Sequence, residues 1–108
     1  MLVIDETQNN GAAEVLVGAP FRVQLSENPT TGYRWHLLTA GAPALHVIED
    51  SFQASRGGPG SAGVRYWIFV ADHPVATALR MELRRSWQPQ PVDSFSFTVN
   101  VASPSPSS

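Results

Sequence analysis

Side chains able to do covalent or acid–base chemistry are few and scattered in this sequence. His36, His46 and His73 show no metal-ligand spacing, and no Ser-His-Asp order or paired-carboxylate pattern is recognisable around them. Isolated histidines of this kind are usually structural or surface residues. With no cysteine, the chain has no thiol nucleophile, thiolate metal site or disulfide frame. Gly57-Gly58-Pro59-Gly60 lacks the Lys-Ser/Thr of a phosphate-binding loop, and no lysine occurs anywhere in the chain. Catalysis, a bound metal and a cofactor are therefore not expected.

The chemistry that remains is recognition. Ser26-Glu27-Asn28-Pro29-Thr30-Thr31-Gly32-Tyr33-Arg34-Trp35 reads as a rigid turn between two β-prone runs. Pro29 fixes its own φ and pushes Asn28 out of the helical region, while Gly32 admits backbone angles that a Cβ forbids. Thr30 and Thr31 make the apex slim and polar, and a preordered tip loses little entropy on docking. Many turns of this composition do nothing but turn. Asn28-Pro29-Thr30 is not a glycosylation acceptor, because proline occupies the middle position.

Two further stretches stand out. Ser55 to Gly63 is too rich in glycine for a regular element and reads as a long loop, most simply a linker. Arg85-Ser86-Trp87 precedes Gln88-Pro89-Gln90-Pro91, a setting that predicts exposure, and exposed Trp and Arg are typical binding hot spots.

The elements that hold these stretches are strands. The first two β-prone runs are Leu2-Val3-Ile4 and Glu14 to Val17, separated by the hairpin signal Asn10-Gly11. Phe21 to Leu25 and Tyr33 to Leu38 alternate apolar and polar residues on either side of the central turn, with Trp35 in the core. Leu45 to Phe52 continues the pattern less cleanly, and Val64 to Val70 is β-prone on both faces, as a central strand is. Helix propensity competes over Thr77 to Arg84, but its strict period of two assigns a strand; Phe95, Phe97, Val99 and Val101 alternate in the last one. About seven or eight short strands predict an all-β, immunoglobulin-like antiparallel β-sandwich occupying residues 1–102, with 103–108 a flexible Ser/Pro tail. With the runs from Phe21, Tyr33, Leu45, Val64, Thr77 and Phe95 lettered B to G, alternate connections of such a sandwich emerge together, so the B–C, D–E and F–G loops, which are the three unusual stretches, share one end.

The string Asn28-Pro29-Thr30-Thr31-Gly32-Tyr33, with Trp35 after it, resembles the signature of the chagasin-like inhibitors of papain-type cysteine proteases. Gly60-Ser61-Ala62-Gly63, with Trp67 beyond, looks like the family's Gly-x-x-Gly loop, and Arg85-Ser86-Trp87 looks like its Arg-Pro-Trp. The order and spacing of the three agree, and the family's fold is the sandwich expected above. Ser86 replaces the family's proline, which implies a less stiff third loop. The resemblance implies reversible, non-covalent occlusion of a papain-like cleft, with the first loop near the catalytic cysteine and the other two beside it.

Length and composition agree with one soluble domain. The chain has 108 residues, 43% of them apolar, and a core of that size closes without metal or disulfide. A formal net charge of −2 offers no positive field for nucleic acid. Met1 to Glu6 reads as neither a secretory signal nor a membrane span, so any leader has been removed or never existed, and a secreted or periplasmic location follows only in the first case. The free chain is expected to be a monomer. The rival reading is a sandwich that binds carbohydrate or a cell-surface protein through the same loops, with Trp35, Trp67 and Trp87 as stacking rings.

Overall fold

The computed structural model describes residues 1–39, 43–54 and 62–103. Eight strands follow one another as β1 (Leu2–Ile4), β2 (Gly11–Leu16), β3 (Phe21–Glu27), β4 (Tyr33–Thr39), β5 (Leu45–Ala54), β6 (Gly63–Ala71), β7 (Val75–Arg85) and β8 (Asp93–Ala102). Short 3-10 turns at Glu6–Gln8 and Pro29–Thr31 complete the regular structure among the described residues. One sheet has the order β1-β3-β6-β5 and the other β2-β8-β7-β4, as a two-layer sandwich of the immunoglobulin-like type requires. The run over Val75–Arg85 is a strand, so the period of two outweighs the helix propensity of Leu, Met, Glu and Arg there.

Alternation along each strand builds the core between the sheets. Phe21, Val23 and Leu25 of β3 face Leu79 and Met81 of β7 and Phe95, Phe97 and Val99 of β8 within one buried cluster that also holds Trp35 and Trp67. Phe21 and Phe69, cross-strand partners on β3 and β6, stack with ring centres 5.4 Å apart. Burying each such ring contributes on the order of 1.5–3 kcal/mol. The less regular pattern of β5 has a local cause: its pairing with β6 slips between Val47 and Glu49, leaving Ile48 exposed at the bulge.

The antiparallel expectation needs one correction. Both opening strands are edge strands paired in parallel, β1 with β3 and β2 with β8, and they do not form a hairpin with each other. Asp5 instead starts a capped 3-10 turn, its carboxylate accepting the Thr7 N–H at 2.9 Å while Gln8 Oε1 accepts the Asp5 N–H at 3.1 Å. That turn carries the chain from one sheet to the other. Asn10 does take a left-handed conformation, φ 66°, but its N–H is held by Ser96 O at 2.7 Å, and Asn9 Oδ1 accepts the Ser96 N–H at 2.9 Å. The Asn-Gly turn therefore docks on β8. The expected flexible tail lies, beyond Ser103, outside the described residues.

Candidate functional site

Strand register brings the turn 28–32, the residues that flank 55–61 and the stretch 85–87 to one end. In one sheet Glu27, the last residue of β3, pairs with Gly63, the first of β6, and Gly63 pairs in turn with Ala54, the last of β5. In the other sheet Tyr33, the first residue of β4, pairs with Arg85, the last of β7. The turn 28–32 joins the two sheets at this same end, so it sits between the roots of the other two loops. Ala62 is exposed beside it, whereas Gly63 stands on the first rung of β6. A Cβ on Gly63 would lie 2.3 Å from Gln53 O and 2.7 Å from Phe52 Cζ, so this glycine serves the close approach of β5 and β6. Gly60 and Ser61 lie outside the described residues.

The central turn is held by its own side chains. Asn28 Oδ1 accepts both the N–H of Thr30, at 3.1 Å, and its hydroxyl, at 2.6 Å. Thr31 Oγ1 donates to Asn28 O at 2.8 Å and accepts the Tyr33 N–H at 3.3 Å. This is an Asx-turn continued by a threonine turn, which explains why Asn and Thr occupy those positions. Gly32 then reverses the chain with φ +81°, in the left-handed region. Thr30 and Thr31 remain exposed at the apex.

Arg85 ties this turn to the third loop. Its Nε–H donates to Thr31 O at 3.3 Å, and its guanidinium lies 4.4 Å from the ring centre of Tyr33 and 5.9 Å from that of Trp87. Ser86 and Trp87 form the turn beyond β7, which closes through a Gln88 N–H to Arg85 O bond of 3.0 Å. Trp87 is 72% exposed, while Trp35 and Trp67 are buried at 6% and 1%. The indole of Trp87 nevertheless leans on the first loop, its Cη2 within 3.4 Å of where a Gly32 Cβ would stand. Asn28, Thr30, Thr31, Gly32, Tyr33, Arg85, Ser86 and Trp87 are thus adjacent, and Pro29 belongs to the same turn.

One residue at this end escaped the sequence reading. Glu27 is 5% exposed, and its Oε1 accepts the main-chain N–H of Trp35 at 2.8 Å, while the Trp35 indole N–H donates to Ser26 O at 2.8 Å. The available signal was parity: Phe21, Val23, Leu25 and Glu27 all fall on the inward side of β3.

Among the described residues no group of His, Cys, Asp and Glu is placed to hold a metal ion. The ionisable cluster His46–Asp72–His73 sits at the far end, where Ala71 closes β6, with ion-pair distances of 2.7 and 2.6 Å. The hydrogen bond from His46, aided by His73, holds the Asp72 carboxyl below the usual carboxylate range. The loop end presents shape, hydrogen-bonding groups and one exposed indole.

The family model described as "Chagasin family peptidase inhibitor I42" matches residues 14–101. The cysteine protease inhibitor EhICP2 from Entamoeba histolytica superposes with a TM-score of 0.84 at 19% identity, over 94% of this chain and 95% of that one. Amebosin superposes with a TM-score of 0.68 at 24% identity, covering 94% and 97% of the two chains. PbICP-C, solved in complex with falcipain-2, gives 0.62 at 14% identity over 95% and 99%. No curated protein matches the sequence significantly.

Proposed function

This chain belongs to the chagasin family of peptidase inhibitors, and from that premise we propose that its loop end plugs the active-site cleft of a papain-like cysteine protease, reversibly and without a covalent step. The observation that carries the proposal is the contact between segments remote in sequence: Arg85 joins Thr31, Tyr33 and Trp87 into one surface. Thr30, Thr31 and Gly32 enter the centre of the cleft, where the left-handed backbone of Gly32 turns the chain back on itself at the tip. The turn is braced by Asn28 and by its own hydroxyls, so it resists being drawn out as an extended substrate. Trp87 supplies area that becomes desolvated on one flank, and the loop rooted at Ala54 and Ala62 covers the other. A protease–inhibitor interface of about 1,600 Å² needs most of this end of the molecule.

The cost of ordering the turn is met on folding rather than on docking. Each hydrogen bond within the turn removes freedom before docking, so less is lost on association. A carbohydrate platform is not favoured, because two of the three tryptophans that would form it, Trp35 and Trp67, are buried in the core. Titrating papain with the chain while following peptide hydrolysis tests the proposal. Stoichiometric loss of activity is expected, with a serine protease unaffected; full papain activity at micromolar inhibitor would refute it.

A further inference from the structure

Glu27 is the only polar or charged side chain counted among the buried described residues. Placing a carboxylate at the end of an apolar strand face costs several kcal/mol unless it gains partners. Here it reaches from β3, in one sheet, to the Trp35 N–H of β4, the edge strand of the other. The Trp35 indole, bonded to Ser26 O, makes a second tie between the same two points. These two bonds close the 28–34 segment into a ring at its base, beneath the Asn28 and Thr31 bonds that shape its tip.

We infer that Glu27 is a positioning residue: its carboxylate locks the two ends of the 28–32 turn together and so holds the tip in its docking shape before any protease arrives. The inference rests on the reading of that turn as the cleft-entering element. On the open side of an edge strand such as β4 a main-chain amide has no strand to pair with, and the Trp35 N–H finds its acceptor in the Glu27 side chain. An apolar residue in place of Glu27 would leave the buried amide without a partner. Without the lock, the turn divides its population among other shapes, and apparent association slows by the fraction that remains competent.

Amide hydrogen exchange on the free protein, with the association rate for papain, tests this on the wild type and on Glu27→Gln, Glu27→Asp and Glu27→Ala. Glutamine keeps an acceptor oxygen at the same reach; aspartate keeps the charge but withdraws it by one methylene. In the wild type and Glu27→Gln the Trp35 amide is expected to exchange as slowly as that of Leu79, deep in β7. In Glu27→Asp and Glu27→Ala, exchange at Trp35 and across 28–32 should accelerate at least about tenfold with Leu79 unchanged, and papain association should slow about tenfold, equivalent to about 1.4 kcal/mol. Should Glu27→Ala fail to fold, the aspartate variant carries the comparison. Unchanged Trp35 exchange in Glu27→Asp, or a Glu27→Gln protein as loose as Glu27→Asp, would overturn the inference. A wild type that shows the exchange pattern yet leaves papain active would sink the protease reading and leave the lock standing.

Discussion

Trp87 lies over Gly32: its Cη2 atom is 3.4 Å from the place that a Cβ on Gly32 would occupy, where the backbone stands at φ +81°. Two loops that are more than fifty positions apart in the chain thereby come together, and the glycine is needed for the backbone angle, since a Cβ there would meet the indole at an ordinary contact distance. Replacing Gly32 with alanine forces an L side chain into the left-handed region, at a cost of about 1 kcal/mol. The expected outcome is a melting temperature lower by about 5 °C and an inhibition constant for papain raised about tenfold. Calorimetry and enzyme titration on the same preparation read both.

Trp87 separates stability from binding. Its side chain is 72% exposed, so truncation to alanine removes little that the fold depends on, and the free energy of unfolding should move by less than about 0.5 kcal/mol. Inhibition should weaken about tenfold or more, as loss of a desolvated aromatic anchor does. An unchanged inhibition constant removes Trp87 from the interface.

Arg85 acts through geometry rather than charge alone. Its guanidinium lies 4.4 Å from the Tyr33 ring centre while Nε–H donates to Thr31 O at 3.3 Å, a combination that a forked, planar guanidinium suits better than a compact ammonium. Arg85→Lys should therefore resemble Arg85→Ala, each weakening inhibition by about three- to tenfold with faster amide exchange at Gly32 and Tyr33. Recovery in the lysine variant would show that only the charge matters.

The strands and the shared loop end were legible in the sequence because alternation encodes which face of a strand is buried, as Phe95, Phe97, Val99 and Val101 show. Strand direction has no such signature, since a period of two looks the same in parallel and antiparallel pairs. Alternation therefore does not distinguish the parallel docking of β1 on β3 and β2 on β8 from an antiparallel one. Within the site, the motif residues identified the turn, but composition could not show that the threonine hydroxyls are spent on Asn28 or that Arg85 turns inward onto Tyr33. Gly63 looks like part of a loop because glycine usually marks one; it is instead the first rung of β6, where a Cβ would collide with β5.

Ser86 occupies the position where relatives of this family are expected to hold proline, and it lies exposed in the turn after β7. Ser86→Pro restricts the unfolded and unbound chain, a gain of about 0.4–1 kcal/mol where the backbone accepts the ring. Inhibition should tighten by about two- to fivefold, mainly through slower dissociation. Progress-curve analysis of the recovery of papain activity after dilution measures that rate.

The most direct measurement of whether one pole of the sandwich enters the cleft is amide exchange footprinting of the chain bound to papain. Protection confined to residues 28–33, 62–63 and 85–88, with the far end around His46 and Asp72 unaffected, is the predicted result. Protection centred on the far end, or on the open edges of β2 and β5 with the turn at 28–32 still exchanging freely, would contradict it.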